Sequence, residues 1–258
     1  MKILYFGDII SKKGINGLKK YLEKFCEKDD YDFIFANGEN LAGGKGINKK
    51  TFLEIKSLGV SGVTTGNHIY DKKEIYSQII EFPEIVRPLN YPVGAPGKGS
   101  YIFEKKGLKI ALVSLCGRVF MKPLDCPFKK IEEELSKLKE KCNSVIIDIH
   151  AEATSEKKAL GYFLDGRVSG VLGTHTHTQT NDSQLLPKGT FFISDLGMVG
   201  AKDSILGVKK EVIINHFLTG LPFAIEIAEE GLTLVNGVEL IIDDLGKVVE
   251  YKTINIEL

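Results

Sequence analysis

Short apolar runs alternate with longer stretches of helical periodicity along the first two thirds of the chain, and this alternation restricts the fold most. Residues 3–6 form such a run, and within residues 16–28 Leu18, Leu22 and Phe25 recur at spacings of four and three, as in an amphipathic helix. Runs made mostly of Ile, Val, Leu and Phe are expected for strands that are covered on both faces. We therefore predict an α/β fold with a largely parallel sheet. The further predicted strands are residues 33–36, 60–65, 109–115, 144–149 and 168–172, and the further predicted helices are residues 51–57, 128–141 and 155–163.

The pattern changes near Gly189. Residues 190–194, 223–227, 232–242 and 248–256 read as strands joined by tight turns such as Glu230-Gly231 and Leu245-Gly246. These segments predict antiparallel strands that either extend the first sheet or form a second one. The sequence contains no internal repeat, low-complexity tract or Ser/Pro-rich linker, so we predict a single domain over residues 1–258.

Composition narrows the class of protein. The 258 residues include 34 Lys and Arg against 34 Asp and Glu, 43% are apolar and 26% are charged, as in a water-soluble globular protein. A chain with a net charge of zero is not expected to have the basic surface that binds duplex nucleic acid. No apolar stretch approaches the ~20 residues that are needed to cross a bilayer. The first apolar run is also too short for a signal peptide, so we predict a cytoplasmic protein without a duplex nucleic acid or membrane partner. Four scattered cysteines are interpreted as reduced packing residues: Cys26, Cys116, Cys126 and Cys142.

Polar side chains stand at the carboxyl ends of five predicted strands. In open α/β sheets, ligands bind beyond these ends, so the five strands are predicted to bring the side chains to one rim of one sheet. The residues concerned are Asp8, Glu39, Asn40, Asn67, His68, His150, His175 and His177.

Each of these groups also has a simpler explanation. A Gly-Asp pair after a strand is often a turn, and a histidine within an apolar run, such as His150, is more often a hydrogen-bonded core residue than a ligand. The pair His175 and His177 is more specific, because residues two apart in an extended backbone face the same side. The fifth histidine, His216, falls in a predicted amphipathic helix and is interpreted as structural. Five strand ends with the same chemistry favour a common site.

The residue types indicate a metal centre. Six or seven oxygen and nitrogen ligands without a thiolate are too many for one tetrahedral zinc. They suit two divalent ions ~3.5–4 Å apart that share a bridging carboxylate, the arrangement used for phosphoester hydrolysis. With two such ions, Asp8, Glu39 and a bridging hydroxide, the site keeps a small positive charge that attracts phosphate and stabilises charge on its oxygens.

The motifs resemble those of the calcineurin-like metallophosphoesterase superfamily. The resemblance is carried by Gly7-Asp8, Gly66-Asn67-His68, His150 and Gly173-Thr174-His175-Thr176-His177. The superfamily usually has Asp-x-His in its first motif and a bridging Asp in its second, whereas here Ile9 and Ile10 follow Asp8, and Glu39 precedes Asn40. Both departures are shared by the YmdB-type phosphodiesterase branch, which the chain also resembles over residues 36–40, 117–121, 148–156 and 217–222.

This resemblance implies a fold, a ligand set and an activity. The implied fold is a two-sheet αββα sandwich of the metallophosphoesterase type. The implied activity is hydrolysis of small phosphodiesters, with 2′,3′-cyclic nucleotides as substrates and nucleoside monophosphates as products. The first metal would be held by Asp8, Glu39, Asn40 and His177, and the second by Glu39, Asn67, His150 and His175, with Glu39 bridging. His68 would stabilise the phosphate charge and protonate the leaving oxygen.

The residues then predict a mechanism and leave alternatives open. A metal-bridging hydroxide would attack phosphorus while a protonated His68 assists the leaving group. The alternatives are a phosphomonoesterase or protein phosphatase of the same superfamily, and a regulatory protein that binds metal or RNA without turnover. Mixed carboxylate, amide and imidazole ligands suit two divalent ions per chain, for which we predict iron or manganese, with zinc as an alternative.

Two basic residues are predicted to contact the substrate, a small nucleotide or another phosphodiester. Lys45 lies in Gly43-Gly44-Lys45-Gly46 closely after Glu39, although the segment does not match a phosphate-binding loop. Arg118, like Arg167, could contact phosphate or pair with a carboxylate. The sequence does not decide whether the chain forms a homo-oligomer.

Overall fold

The computed structural model describes residues 1–27 and 29–258, which form two mixed β-sheets packed face to face, with helices against the outer face of each. The strands in chain order are β1 (Lys2–Ile9), β2 (Phe33–Asn37), β3 (Gly62–Thr64), β4 (Ile85–Val86), β5 (Ser100–Lys105), β6 (Leu108–Cys116), β7 (Ser144–His150), β8 (Gly170–Thr174), β9 (Gln184–Leu185), β10 (Phe191–Ile193), β11 (Met198–Ala201), β12 (Thr233–Ile242) and β13 (Val248–Glu257). The α-helices are α1 (Ser11–Phe25), α2 (Lys49–Ser57), α3 (Ile75–Gln78), α4 (Pro127–Lys139), α5 (Thr154–Leu164) and α6 (Lys210–Thr219), and a 3₁₀ turn spans Ile79–Glu81.

Each sheet has a parallel centre; the first has one antiparallel edge, at β12 and β13, and the second has an antiparallel strand at each edge, β5 and β9. Among the described residues, the first sheet has the strand order β13-β12-β11-β1-β2-β3-β4 and the second has the order β5-β6-β7-β8-β10-β9. The neighbours β1 to β4 are parallel, as are β6, β7, β8 and β10, whereas β12 and β13 form an antiparallel pair. Parallel neighbours place their carboxyl ends at the same edge, which positions the candidate site described below.

Strand β1 shows how the apolar layers arise from the sequence. Successive side chains of a strand point to opposite faces, so Ile3 and Tyr5 pack in the layer between the sheets, while Leu4 and Phe6 pack under the helices on the outer face. A third apolar layer lies between the second sheet and helices α4 and α5. The two-sheet αββα sandwich implied by the resemblance is therefore confirmed. The prediction of one domain stays a prediction.

Helix α1 contains two glycines because it lies very close to the first sheet. A Cβ atom on Gly14 would stand 2.3 Å from the carbonyl oxygen of Val199, and one on Gly17 would stand 2.3 Å from Cγ2 of Thr233. Glycine within a helix costs roughly 0.5–1 kcal/mol relative to alanine. The close contact with β11 and β12 explains why the sequence carries it twice.

The predicted boundaries need several corrections. The helix predicted over residues 16–28 begins at Ser11 and ends at Phe25, and position 28 lies outside the described residues. The second sheet begins at β5, well before Gly189, and β10 lies in it between β8, to which it is parallel, and β9, to which it is antiparallel. Strands β12 and β13 extend the first sheet as an antiparallel pair, which is one of the two predicted alternatives.

Two other predictions are wrong. Residues 223–227 form no strand and contribute one isolated bridge, between Val208 and Ile227, because no neighbouring strand runs beside this segment within the described residues. Helix α6, which carries His216, does not bury an apolar face against the core, so the prediction of an amphipathic helix is wrong. None of its residues is buried, and Phe217 and Leu218 are 81% and 79% exposed.

No helix in the described part of the chain has the length and apolar character needed to cross a membrane.

Candidate metal centre

The site lies where one end of the first sheet faces one end of the second. Strands β1, β2 and β3 of the first sheet and β7 and β8 of the second end at this rim. The prediction of one rim of one sheet is therefore wrong, because the strands that carry the histidines hydrogen-bond to β6 and β10 rather than to β3. The rim nevertheless brings together predicted residues that are far apart along the chain.

Three side chains form the closely packed centre of the site. The Nε2 atom of His150 lies 2.8 Å from Oε1 of Glu39 and 3.0 Å from Nδ1 of His175. One ligand atom from each of the three residues lies within 4.8 Å of the others, a grouping that could hold a metal ion. Glu39 and His150 are buried, and the His175 side chain is 22% exposed.

Asp8 joins this centre from β1. Its Oδ1 atom lies 3.8 Å from Nε2 of His177 and 3.9 Å from Nδ1 of His150, and its Oδ2 atom accepts a hydrogen bond from the backbone N–H of His175 at 3.2 Å. The Nδ1 atom of His177 lies 3.0 Å from the carbonyl oxygen of Leu206, so it donates there as N–H and leaves the Nε2 lone pair facing Asp8.

Three buried oxygen atoms at the site have no hydrogen-bond donor within the described residues. They are Oδ1 of Asp8, Oδ1 of Asn40 and Oδ1 of Asn67. The other two unpartnered buried side-chain atoms in the described chain are nitrogens, on Arg87 and Asn236. A buried acceptor without a donor costs about 1–3 kcal/mol, and coordination to a cation would satisfy each of these oxygens. Each belongs to a residue that the sequence predicted as a ligand, so the donor set fits divalent cations.

The sequence supplies space for the centre at Gly66. A Cβ atom there would stand 2.1 Å from Cδ2 of His150 and 2.3 Å from Oε2 of Glu39. Two residues later, the backbone N–H of His68 donates to Oε2 of Glu39 at 3.1 Å. The segment after β3 therefore both accommodates the Glu39 carboxylate and holds it.

His175 and His177 reach the centre from a conformation that the sequence reasoning did not foresee. Strand β8 ends at Thr174, and the two histidines have φ angles of 100° and 60°, in the left-handed region that residues other than glycine rarely adopt. The argument from an extended backbone is therefore wrong, although the His177 ring does lie beside Asp8 and the His175 ring beside His150.

The electrostatics of the centre follow from burial and from close opposite charges. Burial alone would raise the pKa of Glu39, but His150 beside it dominates and lowers the pKa to about 2. Burial would likewise lower the pKa of His150, but Glu39 raises it to about 9. Burial and then the charge of His150 lower the pKa of His175 to about 3, and burial lowers that of His177, so both have a free lone pair at neutral pH.

The pKa of Asp8 moves in the other direction. Burial raises it well above the usual range of a carboxyl group, against the opposing effect of His150. Positive charge placed between Asp8 and Glu39 would favour the ionised form of both groups.

A polar network beneath the centre was missed by the sequence reasoning. The Nδ1 atom of His150 lies 2.9 Å from Oγ1 of Thr174, and that hydroxyl donates to Oδ1 of Asp148 at 2.6 Å. Asn37 of the first sheet donates to Oδ2 of Asp148 at 3.0 Å. These hydrogen bonds orient the His150 imidazole and direct its Nε2 atom towards Glu39. Thr174 and Asp148 thus act as the outer hydrogen-bond partners of a metal ligand. The available signal was an aspartate inside the otherwise apolar strand β7.

Asp71 is a second residue that the sequence reasoning missed. Its Oδ2 atom lies 2.8 Å from Nδ1 of His68, whose side chain is 24% exposed. With Nδ1 engaged, Nε2 is the ring atom that can face a bound molecule. The signal was a carboxylate three residues after His68, within reach of its ring.

The predicted substrate-binding residues lie at the surface. Lys45 is exposed on the loop that carries Asn40, and the exposed Arg118 is anchored through its backbone N–H to Glu156, at 3.0 and 3.1 Å. Neither of the two basic side chains forms a hydrogen bond or ion pair within the described residues, so their contact with substrate stays a prediction. Arg167 pairs with Glu132 at 2.7 Å, which favours the carboxylate alternative for that residue.

Comparisons with known proteins extend these observations. A family model described as YmdB-like protein matches residues 4–254. A Bacillus subtilis protein named 2′,3′-cyclic-nucleotide 2′-phosphodiesterase is 45% identical over 247 residues, covering 96% of this chain and 93% of that protein. Among solved structures, a hypothetical protein from Thermus thermophilus has a TM-score of 0.93 and 41% identity, covering 100% of this chain and 99% of that one. A structure described as a novel phosphatase from Mycoplasma pneumoniae has a TM-score of 0.92 and 34% identity, covering 100% and 93% of the two chains.

Proposed function

The chain belongs to the YmdB-like protein family, and on that basis we propose that it is a metal-dependent phosphodiesterase that hydrolyses 2′,3′-cyclic nucleotides to nucleoside monophosphates. The observation that carries the proposal is the set of three donorless buried oxygens on Asp8, Asn40 and Asn67, at the rim where Glu39, His150 and His175 converge. The name of the Bacillus subtilis relative supports the substrate class.

Two divalent cations are part of the proposal. One set of ligands would be Asp8, Glu39, Asn40 and His177, and the other would be Glu39, Asn67, His150 and His175. Cations bound there would lower the pKa of coordinated water and offset negative charge on a phosphate. Iron and manganese suit this mixture of carboxylate, amide and imidazole donors, and zinc is the alternative.

The chain's own groups would do the remaining work. Glu39, whose pKa is about 2, is ionised at neutral pH, and the networks through Thr174 and Asp148 hold the His150 ring in one orientation. His68 would present Nε2 to the substrate and protonate the leaving oxygen, while Asp71 orients the ring through Nδ1. A group that donates a proton to a leaving oxygen is needed for turnover and not for binding alone, so His68 supports an enzyme over a metal-dependent regulatory protein.

The test combines elemental analysis with a substrate panel on one preparation. We expect about two divalent ions per chain and faster turnover of 2′,3′-cyclic nucleotides than of 3′,5′-cyclic nucleotides or phosphomonoesters. The variant His175→Ala should lose metal and activity together, whereas the control His216→Ala removes a histidine of α6 whose ring nitrogen Nδ1 contacts the carbonyl oxygen of Leu221, and should retain both. Preference for monoesters would favour a phosphomonoesterase, and full metal loading without turnover of any substrate would favour a regulatory protein.

A further inference from the structure

A buried ion pair lies next to the loop that carries His175 and His177, outside the proposed ligand set. The Nζ atom of Lys157, in the first turns of α5, lies 2.8 Å from Oδ2 of Asp195, and the two residues are 2% and 1% exposed. Removing two charges from water opposes folding, so a buried ion pair contributes little net stability. A role other than stability is therefore expected for this pair.

Asp195 holds the residue between the two histidines. Its Oδ2 atom accepts hydrogen bonds from the backbone N–H of Thr176 at 3.0 Å and from the Thr176 hydroxyl at 2.7 Å. Its Oδ1 atom accepts from the backbone N–H of Gly197 at 2.8 Å, and the carbonyl oxygen of Gly197 accepts from the N–H of Asp8 at 3.0 Å. One carboxylate therefore links the histidine loop to the segment that holds the backbone of Asp8.

The loop needs such a restraint. His175 and His177 both adopt left-handed backbone conformations, which persist in residues other than glycine only where the surroundings enforce them. Gly173, two residues before His175, is pressed against the segment that carries Asp195, since a Cβ atom there would stand 1.8 Å from the carbonyl oxygen of Ser194.

We propose that Asp195, with its charge balanced by Lys157, is a positioning residue that fixes Thr176 and thereby holds both histidine rings towards the metal centre. The inference rests on the proposed function, because it takes His175 and His177 as metal ligands. The inference itself concerns the metal-free protein, in which the ion pair sets the geometry of the loop before any cation binds.

The chain contains a matched control in the next residue along α5. Lys158 pairs with Asp182 at 3.3 Å, and these side chains are 44% and 23% exposed. Asp182 accepts hydrogen bonds from the backbone N–H of Ser194 at 3.0 Å and from the hydroxyl of Thr180 at 2.7 Å. The second pair therefore braces the same segment without touching the histidine loop.

The experiment compares two double variants with the wild type. Lys157→Met with Asp195→Asn removes both buried charges together, so neither is left unpaired, and asparagine offers one acceptor oxygen where the carboxylate offers two. Lys158→Met with Asp182→Asn is the control. Isothermal titration of metal-free protein with Mn²⁺ gives the dissociation constant, and hydrogen exchange of the same metal-free protein reports the backbone of residues 174–178.

We expect the Lys157/Asp195 variant to bind Mn²⁺ roughly 10–100-fold more weakly and to exchange faster in residues 174–178, with the control close to wild type. Wild-type values for both measurements in a folded Lys157/Asp195 variant would overturn the inference. If that variant does not fold, Thr176→Val, which removes one hydroxyl and keeps the side-chain shape, should show smaller changes in the same directions, and no change in it would also overturn the inference. A wild-type protein that binds no Mn²⁺ would instead count against the proposed function, while exchange of the metal-free loop would still test the role of the pair.

Discussion

Substitution of Gly66 by alanine should disrupt the metal centre while the fold is retained. The added Cβ would stand 2.1 Å from Cδ2 of His150 and 2.3 Å from Oε2 of Glu39, whereas carbon atoms in contact prefer about 3.5–4.0 Å. Glu39 and His150 must therefore move by more than ~1 Å relative to the backbone at residue 66, and displacements of this size at an active site cost about 100-fold in rate. The overpacking itself costs about 1–3 kcal/mol, a fraction of the 5–15 kcal/mol by which folded proteins are usually stable.

Three measurements on purified Gly66→Ala check this reasoning. We expect weaker Mn²⁺ binding by calorimetry, a fall of about 100-fold in kcat/KM for a 2′,3′-cyclic nucleotide, and a cooperative urea transition shifted only modestly. The control is Gly170→Ala in β8, where the nearest atom to the added Cβ is the flexible end of Ile146, at 3.2 Å, and Phe191 stands at ordinary contact distances of 3.6 and 3.8 Å. A folded Gly66→Ala protein with wild-type metal affinity and turnover would refute the view that Glu39 and His150 must stay in contact.

Other perturbations separate the roles of the remaining groups. His68→Ala should retain its metal by elemental analysis and lose about 10²–10⁴-fold in kcat, and parallel loss of metal would make His68 a ligand instead. Asp71→Asn should also retain metal but lower kcat by roughly 10–100-fold, the size of effect seen for outer partners of an active-site group, and an unchanged kcat would show that the ring needs no such partner. Removing cations with a chelator should lower Tm by roughly 5–10 °C, because a ligand present at about a hundred times its Kd contributes about 2.7 kcal/mol to the free energy of unfolding. Adding Mn²⁺ back should restore Tm. A Tm that changes neither with the chelator nor with added Mn²⁺ would contradict the stabilisation of the rim by cations.

The sequence predicted the strand ends because that information is local. An apolar run followed by Asp8, or by the segment Gly66-Asn67-His68, can be recognised within ten residues, and the carboxyl ends of parallel strands meet wherever the strands are paired. The pairing of the strands, in contrast, depends on residues that are far apart in the sequence. Strands β3 and β7 look alike as apolar runs, yet they belong to different sheets, since β7 pairs with β6 and β6 also forms a hairpin with β5.

The conformation of the histidine loop was beyond sequence reasoning for a related reason. Nothing in the residue types of His175 and His177 indicates a left-handed backbone, since the usual indicator of that region is glycine. The restraint comes through Thr176 from Asp195, and its countercharge Lys157 comes from α5, before the loop in the chain. The strand predicted over residues 223–227 is absent because a strand also needs a neighbouring strand to pair with, which local sequence does not supply.

The most direct test of the account is an anomalous difference map from crystals grown with Mn²⁺. The account predicts two peaks ~3.5–4 Å apart at the rim between the sheets, one beside Asp8 and His177, the other beside His150 and His175, with the Glu39 carboxylate touching both. A map with no peak there, or with metal bound only elsewhere on the protein, would contradict it.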